Sequence, residues 1–343
     1  MKNIKINEKI YVGENSPCFI ISEIGANHNR SLSMAKELID ASVEAKADAV
    51  KFQIYNAENL YSRRTPLHSG YKEDLFSLIK SIETPREWLP ELADYCRQKN
   101  IVFFATPFDR EAADELDKYS CLFKIASFEI VDLPLVKYVA SKSKPIIIST
   151  GLCNMEEIED AVMTCRKALN DDIVLLQCSS MYPSSPGIAN LRAMVTIRQA
   201  FGVHTGLSDH TQGIHISVAA AAIGARVLEK HVTLDRNLEG PDHPFAIEPN
   251  ELAELVKQVR DVESAMGDGF KRGPSESELE FYEKARRSIH AVTDISEGEV
   301  IAKEKLCSKR PGYGIRPKFI NLIVGRVAKR DIAAEEWITW DMI

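Results

Sequence analysis

A (β/α)8 barrel followed by a small β-rich domain is the architecture the sequence predicts, and three observations lead to it. Eight short, near-continuously apolar runs recur along the first three quarters of the 343 residues. Such runs suit parallel strands covered on both faces, and the stretches between them carry helical periodicity. Beyond Ser288 the texture changes to shorter β-like pieces broken by turns. Eight β/α units in roughly 250 residues match the size of such a barrel. A doubly wound open sheet is the rival, but it would want a Gly-rich first turn, and Ile24-Gly25-Ala26-Asn27-His28 is not G-x-G-x-x-G.

Taken in order, strands are expected at 18–23, 49–54, 101–106, 122–126, 145–150, 173–178, 204–207 and 226–231. A helix beginning near Ser31 carries Leu32, Ala35, Leu38, Ile39 and Val43 on one face, the spacing of a helix lying on a sheet. The connection 55–83 is long and rich in Tyr, Ser, Arg and Asn, as lids and binding loops often are. Thr84-Pro85-Arg86-Glu87 reads as a capping box with proline at the first helical position. A last barrel helix opens at Pro249 and ends at Gly267. The expected division is a barrel over 1–267, a linker over 268–281 that collects Gly, Pro, Ser and charge, and a small domain over 282–343. Within that domain, β pieces are expected at 289–292, 300–302 and 324–328.

Composition narrows the function classes. A net charge of −7 and a pI near 5.7 argue against a nucleic-acid surface, so an anionic ligand would need a local cationic pocket. The seven cysteines are scattered without a C-x-x-C pair and read as reduced thiols in or near the core. No secretory signal is visible, and the most apolar segment, 216–228, is too short to span a bilayer. A cytoplasmic protein without a membrane partner is expected.

Chemistry in such a barrel sits at the C-terminal strand ends, and here those positions are heavily polar. In order they hold Glu23 with Asn27 and His28, Lys51 with Gln53, Thr106, Lys124 with Ser127 and Glu129, Ser149 with Thr150, Ser179 with Ser180 and Tyr182, Ser208 with Asp209 and His210, and His231. Ser149-Thr150-Gly151 could instead cap the next helix. Lys51 and Lys124 each follow an apolar run that would bury them, and a lysine is rarely buried without an anionic partner. Together with neighbouring hydroxyls they would suit a ligand carrying a phosphate and a carboxylate. His210 and His231 close the last two strands, which are neighbours in a barrel, so both imidazoles come within reach of one metal. Two histidines completed by oxygen ligands suit Mn²⁺ or another octahedral divalent ion. His28 lies in a loop and His215 opens a nearly all-apolar helix, which makes both weaker ligand candidates.

The runs Ser22-Glu23-Ile24-Gly25-Ala26-Asn27-His28, Val50-Lys51-Phe52-Gln53, Ala105-Thr106-Pro107-Phe108 and Phe123-Lys124-Ile125-Ala126-Ser127-Phe128-Glu129 are joined by four shorter ones. These are Ser149-Thr150-Gly151, Gly206-Leu207-Ser208-Asp209-His210, Leu228-Glu229-Lys230-His231 and Gly240-Pro241-Asp242-His243. In this order they resemble the sialic acid (nonulosonate) synthase family over essentially the whole chain. Lys309-Arg310-Pro311-Gly312-Tyr313-Gly314 is similar to that family's antifreeze-like (SAF) domain.

The resemblance implies condensation of phosphoenolpyruvate with an open-chain N-acylated mannosamine-type sugar, giving a nine-carbon 2-keto acid and phosphate. A diacetamido-trideoxyhexose acceptor, as for legionaminate or pseudaminate, is the alternative it leaves. It implies Mn²⁺, or Mg²⁺ or Co²⁺, at His210 and His231, with His231 and Lys51 also counted as catalytic. Phosphoenolpyruvate would lie on Lys51, Thr106, Lys124, Ser127, Ser149 and Ser208, and the sugar on Glu23, Gln53, Tyr182 and Asp242. Arg310 would reach the site from the partner subunit of a domain-swapped homodimer. Glu23 and Glu129 are the candidate carboxylates for steering protons and stabilising a cation at carbon 2. Ser180 stands where many neuraminate-synthase-like members carry Asn, which bears on contacts near the phosphate and sugar. A barrel metal hydrolase is disfavoured because no H-x-H pair ends the first strand, and the loaded barrel mouth argues against a purely ice-binding module.

Overall fold

Alternation along each strand sorts its side chains into two apolar layers, one inside a ring of strands and one between that ring and the helices. In the computed structural model, which describes residues 1–65 and 74–343, the ring holds eight parallel strands. They are β1 (Phe19–Gly25), β2 (Ala49–Ile54), β3 (Val102–Pro107), β4 (Phe123–Ile125), β5 (Ile146–Ser149), β6 (Ile173–Cys178), β7 (His204–Asp209) and β8 (Val227–His231). Their hydrogen-bonded order is β3-β2-β1-β8-β7-β6-β5-β4, and β3 and β4 lie side by side to complete the circle. Each predicted strand is present, shifted by at most two residues at an end.

A helix follows each strand: α1 (Leu32–Glu44), α2 (Leu89–Lys99), α3 (Arg110–Leu116), α4 (Leu133–Ala140), α5 (Met155–Lys167), α6 (Ala193–Phe201), α7 (His215–Ala222) and α8 (Pro249–Met266). The Ser31 hydroxyl caps α1 by accepting from the Met34 N–H, and Ala35, Leu38 and Ile39 face the strands as the periodicity requires. The outer layer sets such residues against Ile20, Val50, Phe103, Ile148 and Leu175. The inner layer stacks Phe19, Ile21, Val102, Phe104, Ile147, Val174, Leu176 and Val227, so the lower lumen is a packed core. A short N-terminal hairpin pairs Ile4–Lys5 with Tyr11–Val12, and its Ile4, Ile6 and Val12 join this inner cluster. Truncating a fully buried ring such as Phe104 to alanine would cost about 3–5 kcal/mol. Polar residues are thereby displaced to the opposite, C-terminal ends of the strands.

Three local expectations are corrected. Thr84 does not cap a helix: its hydroxyl is buried against His28 Nε2 at 2.8 Å, and a 3₁₀ turn over Arg86–Trp88 leads into α2. Ser149 and Thr150 do not cap α5, whose cap is Asn154 with Glu157 reaching back. The connection 55–83 contains short helices at Ala57–Leu60 and Leu75–Ser81, and its residues 66–73 lie outside the described residues.

The chain divides into two compact units, Met1–Gly267 and Asp268–Ile343. In the second, a short helix over Leu279–Lys284 runs from the end of the expected linker into the small domain, and β9 (Ser288–Ala291) pairs antiparallel with β10 (Leu306–Lys309). The Leu306–Lys309 strand was not expected because only Leu306 in it is buried, while the piece expected at 300–302 makes a single bridge, Val300 to Val327. This unit has its own core of Ile289, Ile295, Ile301, Ile315, Ile332 and Ile338. All seven cysteines are free, and among the described residues no helix is long and apolar enough to cross a membrane.

Candidate active site

Strand register brings the polar ends into one layer. Glu23 lies beside Lys51, Gln53 beside Thr106, Cys178 beside Ser208, Ser208 beside Glu229, and His231 beside Glu23. A cavity at the C-terminal mouth of the barrel is lined by these residues with Lys124, Ser127, Ser149, Tyr182 and His210.

At its centre are two lysines and two carboxylates. Lys51 Nζ lies 3.0 Å from Glu23 Oε2 and 3.7 Å from Glu229 Oε2, and donates to the Thr106 hydroxyl at 3.2 Å. Lys124 Nζ lies 3.9 Å from Glu229 Oε1 and donates to the Ser149 hydroxyl at 2.7 Å and the Ile125 carbonyl at 3.0 Å. Gln53 donates to Glu23 Oε1 at 2.7 Å, and Ser208 to Glu229 Oε1 at 3.0 Å.

These groups do not share charge evenly. Burial opposes the charged forms of Lys51 and Glu229, yet the carboxylates lift Lys51 above the ordinary lysine value and the lysines hold Glu229 below the ordinary carboxylate value. Burial prevails at the other two, raising Glu23 and lowering Lys124. Burial thus outweighs the neighbouring opposite charges at Glu23 and Lys124 and is outweighed by them at Lys51 and Glu229. An entering anion would favour the charged form of Lys124.

Beside Lys124 the chain comes close to itself. The Gly151 N–H donates to the Ser127 hydroxyl at 2.9 Å, and a Cβ on Gly151 would stand 2.2 Å from Ser180 Oγ and 2.8 Å from Ser127 Oγ. Ser180 Oγ is buried without a protein partner. Small residues here leave hydroxyl and backbone donors facing one compact space, as an oxyanion needs.

On the other side of the mouth the His210 and His231 rings lie 5.4 Å apart, Tyr182 packs on His210 at 4.2 Å, and Phe245 on His231 at 5.0 Å. His210 Nδ1 is 3.0 Å from the Ser179 carbonyl, which makes it the protonated nitrogen and leaves Nε2 as the donor atom. Burial holds the His231 imidazole well below its ordinary pKa, in the neutral form that ligates metals. His231 Nδ1 has no hydrogen-bond partner and sits 3.5 Å from Asp242 Oδ2. A buried, neutral, unpartnered imidazole beside a second one fits a divalent ion. Among the described residues no group of three or more His, Cys, Asp or Glu is arranged to hold a metal, so water and ligand oxygens would complete the shell. Burial, followed by repulsion from Glu23, raises the Asp242 carboxyl to about 6.

Of the residues singled out from the sequence, Glu23, Lys51, Gln53, Thr106, Lys124, Ser127, Ser149, Tyr182, Ser208, His210 and His231 line the one cavity, with Asp242 3.5 Å from His231 and Ser180 beside Gly151. Glu129 is not in that lining; it lies in the turn after β4, where burial lifts its carboxyl to about 7. Arg310 is exposed in the second unit, directly after β10. His28 is fully buried against Thr84 and Trp88, and His215 is exposed at the start of α7. Glu229, Cys178 and Phe245 were not singled out. Glu229 was readable, because it stands two residues before His231 on a strand and so faces the lumen with it.

The NeuB family model matches residues 38–271, and the SAF domain model matches residues 286–343. The N,N'-diacetyllegionaminic acid synthase of Campylobacter jejuni is 40% identical over 328 residues, covering 93% of this chain and 98% of that protein. The pseudaminic acid synthase of Helicobacter pylori is 37% identical over 334 residues, covering 95% and 98%. The solved N-acetylneuraminic acid synthetase from Leptospira borgpetersenii superposes with a TM-score of 0.74 at 37% identity, covering 82% of this chain and 95% of that one.

Proposed function

The chain belongs to the NeuB family and carries a SAF domain, and from that premise we propose that it condenses phosphoenolpyruvate with an open-chain N-acylated amino sugar, giving a nine-carbon 2-keto acid and phosphate. The observation that carries this reading is the buried cluster of Lys51, Lys124, Glu23 and Glu229 beside the His210 and His231 pair in one barrel mouth.

Phosphoenolpyruvate is a compact polyanion and takes the lysine side. Lys51 with Thr106 and Lys124 with Ser149 supply charge-assisted bonds, and the Ser127 and Ser208 hydroxyls add neutral donors. The sugar takes the side formed by Gln53, Glu23, Tyr182 and Asp242. His210 and His231 would hold Mn²⁺, or Mg²⁺ or Co²⁺, which when bound supplies Lewis-acid polarisation of the sugar aldehyde. Holding both reactants in one orientation contributes roughly 7–11 kcal/mol toward a bimolecular barrier.

Carbon 3 of phosphoenolpyruvate bonds to the aldehyde carbon, and the aldehyde oxygen takes a proton. Glu23 is the carboxyl that faces the reactants and is biased toward its protonated form. Positive charge develops at carbon 2, where Glu229, held ionised between the two lysines, steadies it. Water adds there and passes a proton to the Glu23 carboxylate left by the first proton transfer, and the adduct collapses to the ketone as its hydroxyl proton leaves with the phosphate. Arg310 contacts the sugar from the partner subunit of a domain-swapped homodimer.

The acceptor is manno-configured, in keeping with the Gly240-Pro241-Asp242-His243 run. N-acetylmannosamine and a diacetamido-trideoxymannose both fit, and the legionaminic acid synthase relative supports the second. The test incubates the full chain and Mn²⁺ with phosphoenolpyruvate and, separately, these two sugars and the diacetamido-trideoxyaltrose, reading phosphate release and product mass. Turnover of one manno-configured acceptor is expected. No phosphate from any acceptor would overturn the reaction, and exclusive use of the altrose would overturn the configuration.

A further inference from the structure

Asp209 and Lys230 are buried charges that the reaction does not use. They pair in the β7–β8 register, with Lys230 Nζ 2.9 Å from Asp209 Oδ2 and both side chains almost closed to water. Strand alternation turns them outward, toward α7, where Ser208, Glu229 and His231 turn inward. Asp209 is saturated: Oδ2 also accepts the Ser217 hydroxyl at 2.6 Å, and Oδ1 accepts the Thr211 N–H at 2.8 Å and the Thr211 hydroxyl at 2.7 Å. Lys230 donates a further bond to the Thr211 carbonyl.

Burying this pair is no simple route to stability, since well-packed apolar residues usually do as well or better. Its placement shows another use. Asp209 and Thr211 flank His210, and Lys230 directly precedes His231. His210 lies one residue beyond the end of β7, where its carbonyl accepts the Ser184 N–H at 2.9 Å. Asp209 Oδ1 ties down Thr211, the residue after His210, and Lys230 locks that turn to the strand bearing His231.

We propose that Asp209 and Lys230 are positioning residues for metal binding, a single buried clamp on the outer face of the barrel that sets the spacing of His210 and His231 on the inner face. The inference rests on the reading of these histidines as the metal-holding pair. It places a determinant of metal affinity at residues that touch neither metal nor substrate.

The experiment titrates Mn²⁺ into full-length parent, His231→Ala, Lys230→Met and Ser217→Ala proteins, following the free ion by electron paramagnetic resonance, with phosphoenolpyruvate affinity measured separately without metal. The parent should bind Mn²⁺ and His231→Ala should not; failure of either overturns the metal reading and the inference with it. Lys230→Met should bind Mn²⁺ about 10- to 100-fold more weakly, the range for losing an outer partner of a ligand, and keep the parental phosphoenolpyruvate affinity. Parental Mn²⁺ affinity in folded Lys230→Met, or equal losses for both ligands, would overturn the clamp while leaving the metal reading intact. Should Lys230→Met fail to fold, Ser217→Ala decides. It removes one hydroxyl from Asp209, and a several-fold loss for Mn²⁺ alone supports the clamp, whereas unchanged Mn²⁺ affinity overturns it.

Discussion

Lys51 and Glu23 face each other at 3.0 Å across the first two barrel strands, both side chains nearly closed to water. Glu229 approaches the same lysine at 3.7 Å and reaches Lys124 with its other oxygen at 3.9 Å. Two lysines buried on such partners are held ready for an anion. Lys51→Met or Lys124→Met keeps the aliphatic stem and deletes the charge. Since a hydrogen bond to a charged group contributes roughly 1.5–3 kcal/mol, phosphoenolpyruvate should bind about 10- to 100-fold more weakly in either variant. Calorimetric titration measures this, and unchanged affinity would mean that the lysines serve only the fold.

Gly151 offers a more local test. A methyl group there would overlap Ser180 Oγ and press on Ser127 Oγ, both of which can rotate away. Gly151→Ala should therefore still fold, with a loss of about 1–3 kcal/mol, the range for overpacking, yet raise the KM for phosphoenolpyruvate several-fold because the hydroxyls leave their places. A parental KM would remove this corner from the anion site.

Glu129 carries a pH signature. Burial raises its carboxyl from 4.5 to about 7 in the folded chain. The native state therefore holds more protons than the unfolded state between those values, and stability from this group falls as pH rises through that window. It is fully present below pH 4.5 and lost above about 7. Glu129→Gln removes the titration, so relative to the parent it should gain on the order of 3 kcal/mol between pH 4.5 and pH 8. Urea unfolding at the two pH values checks this, and parallel pH profiles for the two proteins would contradict it.

The barrel was legible because parallel strands covered on both faces must be apolar along their length, which marks 49–54 and 173–178 to the residue. The site was legible because polar residues end those runs. What stayed hidden was information carried by facing rather than by type. Glu229 and Lys230 are adjacent charges in one motif, yet one belongs to the lumen and the other to the clamp against α7. Thr84 looks like a cap by spacing, but a buried imidazole competes for its hydroxyl, and that competitor is 56 residues away. Leu306–Lys309 forms a strand because β9 pairs with it, and its own mixed polarity carries no such mark.

The last prediction concerns Arg310. It is exposed in a unit separate from the barrel, and the site reading assigns it to the sugar of the partner subunit. Exchange of a small domain between identical chains is an accessible route to a twofold dimer. His231→Ala and Arg310→Ala should each be inactive alone, the first lacking a metal-holding imidazole and the second a sugar contact. If subunits are allowed to exchange, one site in every mixed dimer combines an intact barrel with an intact partner arginine. Mixing should restore activity, up to about one quarter of the parental rate when exchange is statistical, because half the dimers are mixed and each has one complete site. The measurement is phosphate release before and after exchange, with mixed dimers verified by differential mass labelling. An arginine acting within its own chain gives a different result, since each mixed dimer would then contain two defective sites. Mixed dimers that form and remain inactive would therefore return Arg310 to its own barrel or remove it from the reaction.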